Sequence, residues 1–139
     1  MKEKYSMQIE KFKDLLSELK NCSDIDIENL DKDIMKTLSL YQNLIEIVSS
    51  ELYRLHKIDT KYEKIYQSLY HKYKTQYDYN LSVNEIKLYV EADDKLSGIR
   101  AEKKLSEYQI SIIEKYIDML KNKQFQIKNI IEWKKYQAG

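Results

Sequence analysis

The stretch from Ile34 to Gln76, IMKTLSLYQNLIEIVSSELYRLHKIDTKYEKIYQSLYHKYKTQ, decides the fold. Alternate steps of four and three residues along it define a row, the seam, that is apolar or aromatic at all but two positions. The seam consists of Ile34, Leu38, Tyr41, Ile45, Val48, Leu52, Leu55, Asp59, Tyr62, Tyr66, Leu69, Tyr73 and Gln76. A heptad repeat of this length predicts one long helix, over residues 34–78, that packs against another helix in coiled-coil fashion.

The length of this helix has a consequence for assembly. At about 1.5 Å per residue it extends roughly 65 Å, which is too long for the core of one compact chain of this size. Either the helix bends near Asp59–Thr60, or other copies of the chain cover it. We favour self-association, because the rest of the chain offers only one comparably long helical stretch.

Composition favours helix in the rest of the chain. The 139 residues include no Pro and only two Gly, and they are rich in Lys, Glu, Leu and Ile. We predict an all-α chain of one domain over residues 1–139. Before the long helix we expect an amphipathic helix over residues 1–20 and a connector over 21–33. After it we expect an irregular or short extended segment over 79–92 and a helical pair, over 93–121 and 124–136.

Two of these boundaries rest on short local patterns. Ser82–Glu85 has the form of a capping box, which predicts a helix start. Ile86, Leu88 and Val90 alternate with other residues, which is typical of a short extended segment near residues 80–90, and the pattern does not decide between the two. The break in the helical pair is placed at 121–123, because lysines suit the last turn of a helix and Asn tolerates a left-handed conformation.

The sequence offers little for catalysis. Its one cysteine has no CxxC partner, and its two histidines are fifteen residues apart. We also find no glycine-rich phosphate loop and no nucleophile motif. We therefore predict that the chain is not an enzyme and takes neither a cofactor nor a metal.

Two features of the sequence bear on location. No stretch approaches the roughly 18 consecutive apolar residues of a membrane span, and the start MKEKYSMQIEKFK lacks the apolar core of a signal peptide. We therefore expect no membrane association and a cytoplasmic location.

Charge points to a second property. The formal net charge is only +1, but basic residues concentrate between residues 54 and 74, where seven of the thirteen tyrosines also lie nearby. Lysines interleaved with aromatic rings suit single-stranded nucleic acid, because any base can stack on a ring while ammonium groups follow the phosphates. The candidate DNA-binding residues are Arg54, Lys57, Lys61, Lys64, Tyr70, Lys72 and Lys74. The alternative is a coiled-coil structural or adaptor protein without nucleic acid, in which the tyrosines are core and the lysines are solvated.

The end of the chain carries a family resemblance. The run Asn122–Gly139, NKQFQIKNIIEWKKYQAG, resembles the closing signature of the UvsY-type recombination mediators of tailed bacteriophages. The matching residues are Phe125, Ile127, Lys128, Ile130, Trp133, Lys134, Tyr136, Ala138 and Gly139. Upstream, Tyr89–Leu96, YVEADDKL, is similar to the stretch that opens the preceding helix in that family.

The resemblance implies a non-catalytic protein that forms a homo-oligomeric ring of about six or seven subunits and binds single-stranded DNA. Such proteins help the phage recombinase displace the phage single-strand-binding protein in the infected bacterial host. The expected oligomerisation residues are Phe125, Ile127, Ile130, Ile131 and Trp133.

One departure from the family concerns DNA binding. The middle helix of that family usually carries a basic-x-basic pair just before paired aromatics, and Gln67 and Leu69 fall near those places in this chain. We expect Lys64, Lys72 and Lys74 to substitute for it.

Overall fold

The computed structural model describes residues 2–76 and 80–139, with side chains from residue 9 onward. The described residues form four α-helices and contain no strand, so the all-α prediction is confirmed. The helices are α1 (Lys2–Cys22), α2 (Leu30–Thr75), α3 (Val83–Ala92) and α4 (Asp94–Ala138), and a short 3₁₀ helix, Ile27–Asn29, precedes α2. The predicted end of the long helix at residue 78 lies outside the described residues.

Of the two alternatives for residues 80–90, the structure has the helix. The Ser82 hydroxyl accepts from the Glu85 N–H at 3.2 Å, and the Ser82 N–H donates to the Glu85 carboxylate at 2.9 Å. These two bonds complete the capping box and start α3, which buries Ile86 and Val90. The alternation around Leu88 therefore does not mark an extended segment.

The predicted break at 121–123 is wrong, because α4 runs unbroken for 45 residues. Lys123 is buried rather than placed at a helix end, and its ammonium group donates to the Asp33 carboxylate at 2.7 Å. It also donates to the Cys22 carbonyl at 2.6 Å, while Asp33 accepts from the Asp26 N–H at 3.0 Å. This lysine therefore joins the end of α1, the connector and the start of α2 to α4.

Contacts divide the chain into two compact units. Unit 1 comprises Met1–Val48 and Ser111–Gly139, and unit 2 comprises Ser49–Ile110. The core of unit 1 draws on α1, α2 and α4 and consists of Leu19, Cys22, Leu40, Leu44, Ile113 and Leu120. The prediction of a single domain stays a prediction.

In unit 1, α2 does not bury the predicted seam itself. The buried row lies one residue earlier along the helix and consists of Asp33, Thr37, Leu40 and Leu44. Leu38 and Ile45 of the seam are exposed, and Ile34 and Tyr41 are half-buried. The chain's own core therefore leaves part of an apolar row uncovered.

In unit 2 the seam faces the core from Tyr62 to Tyr73. Tyr62, Tyr66 and Tyr73 are partly buried against a cluster formed by Leu69, Ile86, Val90 and Leu96. The Tyr73 hydroxyl donates to the Asp93 carboxylate at 2.8 Å, which ties α2 to the residue between α3 and α4. None of the described helices is long and apolar enough to cross a membrane.

Candidate nucleic-acid interface

Five of the predicted DNA-binding residues form a row along α2 in unit 2, the basic stripe. It consists of Arg54, Lys57, Lys61, Lys64 and Lys72. At about 100° of rotation per residue these positions fall within a sector of roughly 80°, and the row is about 27 Å long. Lys57, Lys61 and Lys64 are exposed.

Contacts within the stripe differ from residue to residue. The Arg54 guanidinium pairs with Glu51 at 2.9 Å, so part of its charge is already compensated. The Lys57 ammonium lies 4.6 Å from the centre of the Tyr53 ring, and that of Lys72 lies 5.6 Å from the Tyr73 ring. Among the described residues, Lys61 and Lys64 have no ion-pair partner. These two ammonium groups are the most available for phosphate oxygens.

The other two predicted residues, Tyr70 and Lys74, lie on a different side of α2. Their positions are rotated by about 160° from Arg54. With Tyr66, Gln67 and His71 they line a shallow groove of about 250 Å³. The structure therefore separates the seven candidates into the basic stripe and this groove, which lie on different sides of α2.

Burial limits which tyrosines could stack on bases. The seam tyrosines Tyr62, Tyr66 and Tyr73 pack on the unit 2 core, as expected if they form part of a helical core. Burial raises the pKa of the Tyr66 hydroxyl, and nearby Glu91 raises it further, so this group stays protonated. Among the described tyrosines between residues 53 and 76, Tyr53 is exposed and Tyr70 is half-buried, and both lie outside the seam.

The predicted oligomerisation residues differ in how exposed they are. Ile127 is 1% exposed and belongs to the interior of unit 1, whereas Phe125 and Trp133 are 68% and 59% exposed. Ile130 and Ile131 are half-buried. Only part of the set is therefore open to another molecule.

Comparison with known proteins identifies the family. A family model described as "Recombination, repair and ssDNA binding protein UvsY" matches residues 18–139. The chain belongs to the UvsY family. Membership makes this UvsY chain a single-stranded-DNA-binding protein of recombination and repair, from a family of DNA-binding mediators rather than an enzyme class. No curated protein and no solved structure matched it.

The two positions where the resemblance predicts a basic pair, Gln67 and Leu69, differ in burial. Leu69 is 3% exposed and sits in the unit 2 core, so that position faces away from solvent. Gln67 is exposed and lines the groove with Tyr70 and Lys74. The first exposed lysine before it along α2 is Lys64 of the stripe, and the first after it is Lys74 of the groove.

Sequence reasoning missed one charged contact in this UvsY chain. The Lys103 ammonium on α4 lies 2.7 Å from the Asp59 carboxylate and 5.6 Å from the centre of the Tyr62 ring. The hydrogen bond to Asp59 raises the pKa of Lys103. Asp59 was a polar exception in the seam, and a polar seam position signals a need for a partner.

Proposed function

We propose that this chain assembles with copies of itself into a ring of about six or seven subunits that presents the basic stripe repeatedly to single-stranded DNA. On the bound strand it promotes loading of the phage recombinase onto DNA covered by the phage single-strand-binding protein. The observation that supports this best is the basic stripe, because its exposed lysines lie on one helix face. Linked weak sites can bind about 10²–10⁴ times more tightly than one site alone.

Within this proposal the stripe contacts phosphates. Lys61 and Lys64 make the main phosphate contacts, since no carboxylate in the described chain pairs with them. Tyr70 offers a ring to a base, with Lys74 one turn away for a neighbouring phosphate. Because the stripe and the groove lie on different sides of α2, they contact different nucleotides of the strand.

Assembly is assigned to the exposed end of α4. Phe125 and Trp133 leave large aromatic surfaces in water, which is typical of residues that anchor an interface. Ile127 supports them from inside unit 1 rather than contacting a neighbour. In this proposal the half-buried Ile130 and Ile131 line the edge of the contact.

The DNA-binding proposal is tested by removing two charges from the stripe. Lys61→Gln with Lys64→Gln should weaken binding of an unstructured single-stranded oligonucleotide, measured by fluorescence anisotropy over a salt series. The slope of log K against log salt should fall by about 1.4, since each phosphate contact contributes roughly 0.7 on single strands. The control, Lys87→Gln with Lys104→Gln, removes two exposed lysines outside the stripe. Equal losses in both double variants would show general charge attraction and contradict the stripe.

Recombinase loading is tested separately. With DNA already covered by the single-strand-binding protein, the wild-type chain should shorten the lag before the recombinase hydrolyses ATP. The stripe variant should leave the lag long. A stripe variant that shortens the lag as well as wild type would contradict loading through this surface.

A further inference from the structure

A stacked pair of tyrosines joins α3 to α2 in unit 2. The rings of Tyr89 and Tyr73 have their centroids 5.6 Å apart and their planes 18° apart. Tyr73 is half-buried against the core of the unit, whereas Tyr89 is 44% exposed. Two nearly parallel rings therefore lead from the core of unit 2 to its surface, and Tyr89 is the one that solvent reaches more.

Hydrogen bonds and packing hold this pair in place. The Tyr73 hydroxyl donates to one carboxylate oxygen of Asp93 at 2.8 Å, and the Lys95 N–H donates to the other at 2.9 Å. Val90, the residue after Tyr89, is fully buried in the core of the unit and fixes this turn of α3. A ring that is already ordered loses little conformational freedom when it binds something, so this pair is pre-organised.

Positive charge lies beside the pair. The Lys72 ammonium is 5.6 Å from the centre of the Tyr73 ring, the same distance that separates the two ring centroids. Lys72 is also the last residue of the basic stripe. The hydrogen bonds from the Lys95 N–H and the Tyr73 hydroxyl lower the pKa of Asp93, and the nearby charges of Lys72 and Lys95 lower it further. The carboxylate beside the rings therefore has its own partners, and two ammonium groups lie close by.

We infer that Tyr89 is a base-stacking residue: a nucleobase of single-stranded DNA stacks on the exposed part of its ring while Lys72 contacts a phosphate of the same strand. A tyrosine ring accepts any base, because every base has a flat π-face. Tyr73 and Asp93 act as positioning residues for this ring. The inference rests on the proposed function, in which the stripe follows the phosphates, and adds a base contact from α3 at the end of the stripe.

The surroundings of Tyr89 favour a base over an apolar protein surface as its occupant. Val83 and Leu88, the other exposed apolar residues of α3, are rotated by about 120° and 100° from Tyr89 in opposite directions around the helix. They therefore do not extend the ring into one broad apolar patch, which is the usual mark of a protein-binding surface. A single ring next to the lysine of a basic stripe is typical of single-strand binding instead.

The test compares two strands of equal length, an unstructured oligonucleotide and one in which abasic sites replace the bases. Tyr89→Leu should weaken binding of the normal strand by about 5- to 150-fold, the range that stacking of one base contributes. It should leave binding of the abasic strand unchanged. Tyr89→Phe keeps the ring and should bind both strands like wild type. Tyr108→Leu, which changes another exposed tyrosine of unit 2, is the matched control and should also bind like wild type.

Salt dependence separates this contact from those of the stripe. Stacking neutralises no phosphate, so Tyr89→Leu should keep the wild-type slope of log K against log salt, whereas the Lys61 and Lys64 double variant lowers it. Tyr73→Phe tests the positioning role, because it keeps both rings and removes the bond to Asp93. It should weaken binding of the normal strand less than Tyr89→Leu does and leave the abasic strand unaffected. A merely structural role would change binding of both strands alike.

Each outcome decides between the inference and the proposal beneath it. If Tyr89→Leu binds the normal strand like wild type, the inference is overturned and the stripe survives. If Tyr89→Leu weakens both strands equally, the ring acts through folding or assembly and the inference is again overturned. If the stripe variant keeps the full salt slope, the proposed phosphate path fails, while the two strands still test Tyr89. Circular dichroism and light scattering check each variant, and Tyr89→Gln replaces Tyr89→Leu if that variant loses helix.

Discussion

Replacing Lys123 by Met should destabilise unit 1 strongly. The Lys123 and Asp33 side chains are 3% and 8% exposed and lie 2.7 Å apart. Removing one member of such a pair leaves a buried charge uncompensated, at a cost of about 3–5 kcal/mol. The Cys22 carbonyl loses its ammonium partner in the same step. We therefore expect the free energy of unfolding to fall by about that amount in urea denaturation followed by far-ultraviolet circular dichroism.

The pH dependence of this loss tests the cause. Burial alone raises the pKa of Asp33, but the hydrogen bond from Lys123, the Asp26 N–H and the charges of Lys123 and Lys36 together lower it below 3.8. In wild type the resulting stabilisation is present above the unfolded-state pKa and is lost as pH falls through the lower folded-state pKa. In Lys123→Met the burial contribution dominates, so Asp33 binds a proton more readily. The difference between the two proteins should therefore shrink below about pH 4.

Two comparisons make the result decisive. Lys121→Met removes an exposed lysine from the same helix and should change stability by less than about 0.5 kcal/mol. Lys123→Met with Asp33→Leu removes both charges and should recover much of the loss. Measurements at several protein concentrations separate assembly from folding. A Lys123→Met variant as stable as Lys121→Met would refute the reasoning.

Three further predictions concern high pH, the cap of α3 and positions 67 and 69. Stability should decline as pH rises above about 10. The hydrogen bond to Asp59 raises the pKa of Lys103, so its stabilisation is present below the unfolded-state pKa and is lost as pH rises through the folded-state pKa. Burial raises the pKa of Tyr66, so ionising this hydroxyl in the fold lowers stability in the same pH range. A thermal melt series that is flat from pH 9 to 11 would contradict this. Ser82→Ala should cost about 1 kcal/mol by removing the cap of α3, whereas no loss in urea denaturation would show that the cap is dispensable. Lysines at the two positions of the expected basic pair should have opposite effects. Gln67→Lys should strengthen single-strand binding with a slope larger by about 0.7. Leu69→Lys should reduce stability in urea by several kcal/mol because the side chain is buried. Equal tolerance of both changes would argue against a buried position 69.

Local signals accounted for part of the fold. The heptad repeat from Ile34 predicted α2, and Ser82–Glu85 offered a helix start as one of two open alternatives, because spacing along a helix and cap geometry depend only on nearby residues. The closing signature after Asn122 pointed to the UvsY family. These features need no knowledge of what each helix contacts.

Long-range contacts account for the errors. Lys123 looked like the last turn of a helix because its partner Asp33 is 90 residues away in sequence. Thr37 did not look like a core residue either, although it is fully buried with its hydroxyl 3.9 Å from the Cys22 sulfur. The seam was therefore placed one residue late in unit 1, where polar side chains occupy buried positions.

For the candidate DNA-binding site, the prediction from sequence lacked the orientation of each residue around α2. The seven residues were grouped by their position in the sequence, and rotation along α2 separates Tyr70 and Lys74 from the rest. Applying about 100° per residue to the sequence would have found this division. The burial of Leu69 and the pairing of Arg54 with Glu51 required the structure.

The buried ion pair of unit 1 also fixes alignment. Helices with heptad-spaced apolar rows can slide past each other by seven residues and still match leucine with isoleucine. Sliding α4 by one such step would set Lys123 against Leu40 and Ile130 against Asp33. Both charges would then be buried in an apolar interior without a partner. The pairing of Lys123 with Asp33 thus makes misaligned packings unfavourable that the apolar side chains alone would tolerate.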